Sequence, residues 1–450
     1  MIDVLQNIVS FIIALGILVA VHEWGHFWVA RRCGVHVERF SIGFGKPLWR
    51  RVDKLGTEFV IAAIPLGGYV RMLDERVDNV PANKAHKAFN RQSVGKRMAI
   101  IAAGPGVNFI FAVFALLMMY LIGVQAVKPI IGDVTADSYV AKAGLQVGDE
   151  IVAIGDRTTL DWEAVNFELI SHIGDDNLPI TVQRARGFEQ QILVPISDWT
   201  LDTDKESALS SLGMVPYRPD ITLEIAVVSE DTAAQRMGLK VGDLITQFDQ
   251  SPVQTWQELV SLIAEKPDAK VQFTVIRDQQ VQRIDGFLDS VEGANGQRGY
   301  LGVAPRVEPW PDGVVFTHQY GMIDGFVMAL DKTWRLMTLS VEMIGKLLTG
   351  DVSVKNLNGP ISIAQGAGAS ASYGFVYFLS FLALISVNLG IINLLPLPML
   401  DGGHLMYFTV ELLTGKPVSE SVQEIGFKIG GVLLLALMSI AIFNDIARLG

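Results

Sequence analysis

The chain has 450 residues, of which 50% are hydrophobic and 18% are charged, and its formal net charge is −11. Its mean hydropathy of +0.36 is higher than a soluble chain of this length needs, so a membrane protein is expected. The acidic balance argues against nucleic acid as a partner. The single cysteine, Cys33, excludes an intrachain disulfide.

Charge is distributed unevenly along the chain. Residues 31–97 contain 14 Lys and Arg against 6 Asp and Glu, whereas residues 126–320 contain 15 against 30. Basic loops stay on the cytoplasmic side of a membrane, so 31–97 is predicted to be cytosolic, with 126–320 and both termini outside. The first residues include Asp3 and no Lys or Arg, so a secretory signal is not expected.

Four apolar stretches are long enough to cross a bilayer, for which about 20 residues suffice. They predict transmembrane helices over 1–30, 98–124, 373–402 and 425–447. Polar residues interrupt the first and the third, and such residues inside a membrane segment are usually functional.

The acidic middle region repeats itself with an offset of 94 residues. A Gly-Leu-x-x-Gly-Asp turn occurs at 144–149 and again at 238–243, and Asp161-Trp162 aligns with Thr255-Trp256. Such self-similarity predicts a duplicated domain, over 126–220 and 221–307. Each copy reads as a small α+β unit similar to a PDZ domain, and an unrelated duplicated β-rich module is the alternative.

A helix is predicted over 322–350, after the repeats. Its apolar residues advance by steps of three and four, which places them on one helix face: Val327, Leu330, Trp334, Met337, Val341, Ile344 and Leu348. This helix either lies in the membrane interface or is buried against the repeats.

The first apolar stretch contains His22, Glu23 and His26 in the pattern HExxH. On a helix the two histidines share a face and can bind one zinc ion, and Glu23 can take a proton from water beside it. The alternative is a pair of helix-end histidines at the water boundary. A catalytic zinc needs a third protein ligand.

The third ligand is sought in the third stretch, where Pro396 and Pro398 break the helix. Irregular backbone at membrane depth must be buried in protein or line a wet cavity. Asp401 lies at this break and is the favoured ligand, with His404 as its competitor.

Together, HEWGH (22–26) and NLLPLPMLDG (393–402) resemble the motifs of the site-2 protease family of intramembrane metalloproteases. The segments "HFWVARRCGVHVERFSIGFG", "DKTW" and "NLNGPISIA" support the resemblance. It implies a polytopic α-helical membrane protein with four transmembrane helices, a membrane-dipping β-hairpin at about 57–72 and two inserted PDZ-like domains. It also implies Zn²⁺ bound by His22, His26 and Asp401, with Glu23 as the group that activates water.

The resemblance implies substrate-binding residues as well. Asn393 and Asn108, the latter in the element Gly104-Pro105-x-x-Asn108, are assigned to the substrate. The hairpin edge, which would hold the substrate as an extended strand, comprises Gly67, Gly68, Tyr69 and Val70.

The implied activity is cleavage of the transmembrane segment of single-span proteins in the bacterial inner membrane, after their outer domain has been trimmed. The implied substrates are an anti-sigma factor and remnant signal peptides. Membrane lipid is the other implied partner, and nucleic acid is not expected to be one. Two other readings are a transporter, which would usually show inverted repeats, and a catalytically inactive scaffold, which would need neither Glu23 nor Asp401.

Overall fold

A computed structural model describes residues 2–77, 79–184, 187–201, 206–293 and 296–448. Within these ranges four helices are long and apolar enough to cross a membrane: Val4–Arg32, Val94–Ile122, Phe375–Leu394 and Glu420–Ala447. The chain divides into two compact units, one of which is Pro216–Val315.

The amino-terminal part consists of α1 (Ile2–Arg32), β1 (Val37–Val52), β2 (Glu58–Met72), two short 3₁₀ turns (Ala85–Lys87 and Phe89–Arg91) and α2 (Val94–Ile122). Each strand is bent, so that the start of β1 pairs with both ends of β2. Arg39, for example, pairs with Glu58 on one side and with Arg71 on the other. The chain can bend because Gly43 and Gly67 adopt positive φ angles of 87° and 97°. The sheet is therefore larger than the predicted hairpin over 57–72 and begins at Val37.

The first repeat lies in the larger unit. Its elements are β3 (Val124–Val127), β4 (Ile131–Val134), α3 (Tyr139–Ala143), β5 (Glu150–Ile154), β6 (Arg157–Thr158), α4 (Trp162–Ser171), β7 (Asn177–Gln183), β8 (Glu189–Pro195), α5 (Ala208–Leu212) and β9 (Met214–Pro216). The strands form an antiparallel sheet in the order β6-β5-β7-β8, and β4 pairs with β9. Ile151, Leu169 and Ile180 have no exposed surface and lie in one core.

The second repeat forms the smaller unit. Its elements are β10 (Ile221–Val228), α6 (Ala233–Met237), β11 (Leu244–Phe248), β12 (Ser251–Pro252), α7 (Trp256–Ala264), β13 (Lys270–Arg277), β14 (Gln280–Phe287), β15 (Asp289–Gly293), β16 (Gly296–Tyr300) and β17 (Val303–Val307). The main sheet has the order β14-β13-β11-β10-β17, with β12 paired to β11. Phe248 and Phe273 pack in its core at a centroid distance of 5.2 Å.

The repeated positions have matching structural roles. Asp161 and Thr255 each begin a helix and accept a hydrogen bond from the backbone N–H three residues later, as N-cap residues do. Asp243, the last residue of the second Gly-Leu-x-x-Gly-Asp turn, accepts a backbone hydrogen bond from Lys240 at 2.8 Å. Both of its oxygens also accept from the Arg277 guanidinium at 2.7 Å. Asp149 and Arg184 form the equivalent pair in the first repeat.

Replacing Asp243 with asparagine is expected to destabilise the second repeat by about 2–3 kcal/mol, because it removes the charge from a buried, hydrogen-bonded ion pair. Hydrogen–deuterium exchange of β11 and β13 in the full-length chain should rise accordingly. Asp278→Asn, at an exposed position next to the same arginine, is the control and should leave exchange unchanged. Equal exchange in the two variants would contradict the assigned role.

The same pair predicts an acid dependence. Burial by itself would raise the pKa of Asp243, but the Arg277 guanidinium and the Lys240 N–H outweigh burial and hold that pKa below its ordinary 3.8. The stabilisation is therefore fully present above pH 3.8 and is lost as the pH falls through the lower pKa of the folded state. The excess exchange of β11 in Asp243→Asn over the wild-type chain should therefore shrink as the pH falls through that pKa, because the variant has no carboxylate to protonate.

The carboxy-terminal part begins with β18 (Val315–His318), which pairs with β3, and continues with α8 (Met322–Thr349), a 3₁₀ turn (Val354–Asn356), α9 (Pro360–Tyr373), α10 (Phe375–Leu394), α11 (Asp401–Thr414) and α12 (Glu420–Ala447). On α8, Ala329 and Leu336 are buried, whereas Val327 and Trp334 of the predicted apolar stripe are 56% and 60% exposed. Met337 and Ile344 of the same stripe pack instead against the core that contains Ala329 and Leu336. The stripe is thus only partly exposed, and its location in the membrane interface stays a prediction.

The break predicted at Pro396 and Pro398 is present, and the spanning helix is shorter than the predicted span over 373–402. The spanning helix α10 ends at Leu394, and an extended segment with Pro396 and Pro398 leads to a separate helix, α11. Proline supplies no N–H for the helical ladder, which is why the helix stops here. Two shorter helices, α9 and α11, were absent from the sequence prediction.

Candidate metal centre

Three side chains from distant parts of the chain meet between α1, α2 and the start of α11. His22 and His26 lie one turn apart on α1, and Asp401 is the first residue of α11. The Nε2 atoms of the two histidines are 3.3 Å apart, and Asp401 Oδ2 lies 3.3 Å from His22 Nε2 and 3.4 Å from His26 Nε2. The three ligand atoms form an almost equilateral triangle.

The triangle has the dimensions of a zinc site. Zinc bonds of about 2.0–2.1 Å in a tetrahedral arrangement separate neighbouring ligand atoms by about 3.3 Å. Asp401 Oδ2 is buried, and among the described residues it has no hydrogen-bond partner despite the two nearby imidazoles. The three ligand atoms are close enough together to share one metal ion. Two nitrogen ligands and one carboxylate leave the fourth position that a catalytic zinc needs for water.

Space for this centre is provided by glycines on two helices. A Cβ atom on Gly104 would lie 2.3 Å from His26 Nε2 and 2.9 Å from His22 Cε1. A Cβ on Gly25 would lie 2.4 Å from the Ala103 carbonyl oxygen, so this glycine lets α1 approach α2 closely. Only glycine at these positions leaves room for both imidazoles.

Asp401 reaches the histidines because the chain reverses sharply just before it. A Cβ on Gly402 would lie 2.2 Å from the Leu395 carbonyl oxygen, and one on Gly403 would lie 2.3 Å from that of Leu397. His404 lies outside the ligand group and instead contacts the rings of Phe408 and Phe427, at 6.5 Å and 5.7 Å between centroids. Of the two candidates for third ligand, Asp401 is the one that lies with His22 and His26 in a group able to hold a metal ion, and its role as a ligand stays a prediction.

Glu23 lies beside the triangle and under the sheet. A Cβ on Gly68 would lie 3.2 Å from Glu23 Cγ and 2.8 Å from Val19 Cγ1, so this strand passes directly over α1. The backbone of Val70 is hydrogen-bonded to the Glu23 carboxylate. The segment 68–72 pairs with β1 along one side, and within the described residues no strand pairs with its other side. An open strand edge therefore borders the centre.

The other residues predicted to bind substrate lie on different elements around the centre. Asn108 is fully buried, and its carboxamide is 3.1 Å from His22 Nδ1. Tyr69 lies on the same edge segment and contacts Arg39 through its hydroxyl at 3.2 Å. Asn393 is half-buried in the last turn of α10. The roles of these residues in binding substrate stay predictions.

Two contacts hold the elements around the centre in place, and neither contact was predicted from the sequence. Arg97 at the start of α2 and Glu411 in α11 form a buried ion pair at 2.7 Å, which fixes the helix that carries Asp401. Ser386 of α10 donates a hydrogen bond to the backbone oxygen of Asn108 at 2.8 Å. In both pairs the two residues are more than 250 positions apart, so the spacing of residues along the chain does not indicate that they touch.

Comparison with known proteins agrees with this geometry. The model of peptidase family M50 matches residues 10–437. A relative from Vibrio cholerae, named as a candidate zinc metalloprotease, is 52% identical over 452 residues and all of both chains. The regulator of sigma-E protease RseP of Escherichia coli is 49% identical over 450 residues, again all of both chains. The PDZ domain of an SdrC-like protein from Listeria monocytogenes is 24% identical and covers 20% of this chain and 90% of its own, with a TM-score of 0.17.

The family match covers nearly the whole chain and includes both segments that carry His22, His26 and Asp401. The transporter reading is therefore excluded by the family. The chain belongs to peptidase family M50, the site-2 type of membrane zinc metalloprotease.

Proposed function

We propose that the chain hydrolyses a peptide bond inside the transmembrane segment of single-span membrane proteins. The observation that carries this proposal is the triangle of His22, His26 and Asp401, whose 3.3–3.4 Å sides match a tetrahedral zinc site. The triangle lies among helices long and apolar enough to cross the membrane, where a membrane-embedded peptide bond is within reach.

His22, His26 and Asp401 would hold the zinc ion. A zinc ion there supplies Lewis acidity, which polarises a carbonyl group and makes a nearby water more acidic. Glu23 would accept a proton from the attacking water and return it to the leaving amide nitrogen. Its contact with the Val70 backbone orients the carboxylate toward the edge of the sheet.

Substrate presentation follows from the edge segment 68–72. A peptide bond in a helix is hidden by the helical hydrogen bonds, so the substrate must unwind before it is cut. A substrate segment paired with the open edge would be extended, held by backbone hydrogen bonds. Because Gly68 lies against Glu23, that segment would pass over the catalytic residues. Asn393 and Asn108 are the polar side chains predicted to contact this substrate segment.

The signalling pathway rests on the name of a relative, and the substrates rest on the family resemblance of the sequence. One relative is named as the regulator of sigma-E protease, so we assign the chain to sigma-E envelope-stress signalling, with an anti-sigma factor and remnant signal peptides as substrates. The spanning helices support a multi-pass inner-membrane protein. The charge difference between 31–97 and 126–320 supports a periplasmic location for both repeats and both termini.

Purified chain in detergent is expected to contain one zinc ion and to cut a single-span substrate within its apolar segment, as located by mass spectrometry. Asp401→Ala removes one of three ligands, so zinc content should fall well below one and the cleavage rate by at least about 10²-fold. His404→Ala, three residues further along the same helix, is the matched control and should keep zinc and activity. Full zinc in Asp401→Ala would show that the ligand set is wrong.

The repeats are proposed to admit only substrates whose outer domain has been trimmed. Rates on the same substrate with and without its folded outer domain test this. Equal rates would remove the filtering role while leaving the protease assignment intact.

A further inference from the structure

We propose that Asn108 is a positioning residue of the metal centre. Its carboxamide oxygen accepts the Nδ1–H of His22 and so holds the opposite nitrogen, Nε2, toward the metal. The inference rests on the zinc site proposed above and deepens it, because it assigns the group that sets the tautomer and ring orientation of His22.

The first observation concerns one face of α2, which lies against His22 and His26 of the antiparallel helix α1. Ile100, Gly104 and Asn108 are spaced by four residues and therefore lie on one side of the helix. The Ile100 carbonyl oxygen is 2.9 Å from His26 Nδ1, and the Asn108 carboxamide is 3.1 Å from His22 Nδ1. Gly104, between them, leaves space for both rings. Each imidazole thus has its own partner one helical turn to either side of the glycine.

The second observation concerns the proton that each imidazole must carry. A neutral histidine that offers Nε2 to a cation has its proton on Nδ1, which then needs a hydrogen-bond acceptor. For His26 the acceptor is a backbone carbonyl, which has no donor capacity. For His22 the group at Nδ1 is the Asn108 carboxamide, whose acceptor is its carbonyl oxygen.

The third observation is an unpaired polar atom on the same side chain. Asn108 Nδ2 is the end nearest His22, and within the described part of the chain the buried Oδ1 has no hydrogen-bond partner. The two ends of a carboxamide exchange by a half-turn about the Cβ–Cγ bond. The half-turned amide places an acceptor opposite Nδ1–H, which is the pairing that a metal-binding His22 requires.

The fourth observation is that the backbone of Asn108 is fixed. Asn108 and Ser386 have no exposed surface, and Ser386 donates a hydrogen bond to the Asn108 backbone oxygen at 2.8 Å. The spanning helix α10 therefore holds this point of α2 in place. A rigid support lets a single hydrogen bond determine the ring angle of His22, and such supporting partners are worth about 10–100-fold in metal affinity.

Two variants separate the acceptor from the donor end of the amide. Asn108→Leu has similar volume and no acceptor, and it should raise the zinc dissociation constant about 10–100-fold and speed zinc release. Asn108→Asp keeps an acceptor oxygen and loses the N–H₂ donor, so its zinc affinity should equal or exceed that of the wild type. The measurements are chelator competition and stopped-flow release on the full-length chain, without substrate.

Gly106→Ala is the control, because a Cβ at this position of the same helix meets nothing within 4 Å and the group on His22 is unchanged; its zinc affinity should equal that of the wild type. Thermal unfolding in excess chelator shows whether each variant folds. Wild-type affinity in folded Asn108→Leu overturns the proposal, and so does a loss in folded Asn108→Asp, which remains informative if the leucine variant does not fold. Because zinc binding is read without substrate, failure of the wild type to cleave membrane segments overturns the proposed function alone.

Discussion

Replacing Glu23 with glutamine is expected to lower the rate of the chemical step by about 10²–10⁴-fold while zinc content stays at one per chain. Glutamine has the same shape as glutamate, so the contact with Gly68 and the strand above it are retained. What is lost is the carboxylate that accepts a proton. Single-turnover cleavage of a single-span substrate, with metal content measured on the same sample, gives both quantities.

Zinc content and cleavage rate, compared between two variants, separate the loss of proton transfer from the loss of the metal ion. Asp401→Ala should lose zinc and activity together, because Asp401 is part of the ligand triangle. Glu23→Gln should lose activity alone, because Glu23 lies outside it. A glutamine variant that cuts at the wild-type rate would show that another group moves the proton, and one that also loses zinc would place Glu23 among the ligands.

Replacing Gly104 with alanine is the second change with a large expected effect. The new methyl group would lie 2.3 Å from His26 Nε2 and 2.9 Å from His22 Cε1, far inside van der Waals contact. At least one imidazole must move, and a misplacement of about 1 Å in an active site costs about 10²-fold in rate. We expect a comparable loss of activity and a marked loss of zinc affinity, measured by chelator competition.

Gly106→Ala is the matched control, two residues along the same helix. A Cβ there meets nothing within 4 Å, and alanine favours a helix over glycine by about 1 kcal/mol. This variant should keep full zinc binding and activity and should be as stable as the wild type or slightly more stable. Similar losses in both variants would point to a general effect on α2 rather than to crowding of the histidines.

Several features of the protein were determined by its sequence. The apolar stretches predicted the four candidate spans, because hydropathy over about 20 residues is a local property. The spacing of His22 and His26 predicted that both side chains share one helix face, and their Nε2 atoms do lie 3.3 Å apart. The Gly-Leu-x-x-Gly-Asp turn was recognised through its repetition, and its aspartate closes the turn and binds an arginine in both copies.

Other features depended on how distant segments pack. Asp401 and His404 are three residues apart and share a helix face, so spacing along the chain could not separate them. The structure separates them because α11 begins at Asp401, against the histidines, while His404 packs between aromatic rings. In the same way, the sheet extends back to Val37 because both ends of β2 pair with β1.

The face of α2 that supports the metal centre was also decided by tertiary structure. Asn108 was associated with the substrate from its motif alone, yet its carboxamide lies on His22. The partner of each imidazole is set by the antiparallel packing of α1 and α2, which depends on the close approach at Gly25 and on the hydrogen bond from Ser386. The sequence by itself thus determined which residues could bind a metal, because ligand type and helical spacing are local properties. The packing of three distant segments decided how those residues are oriented.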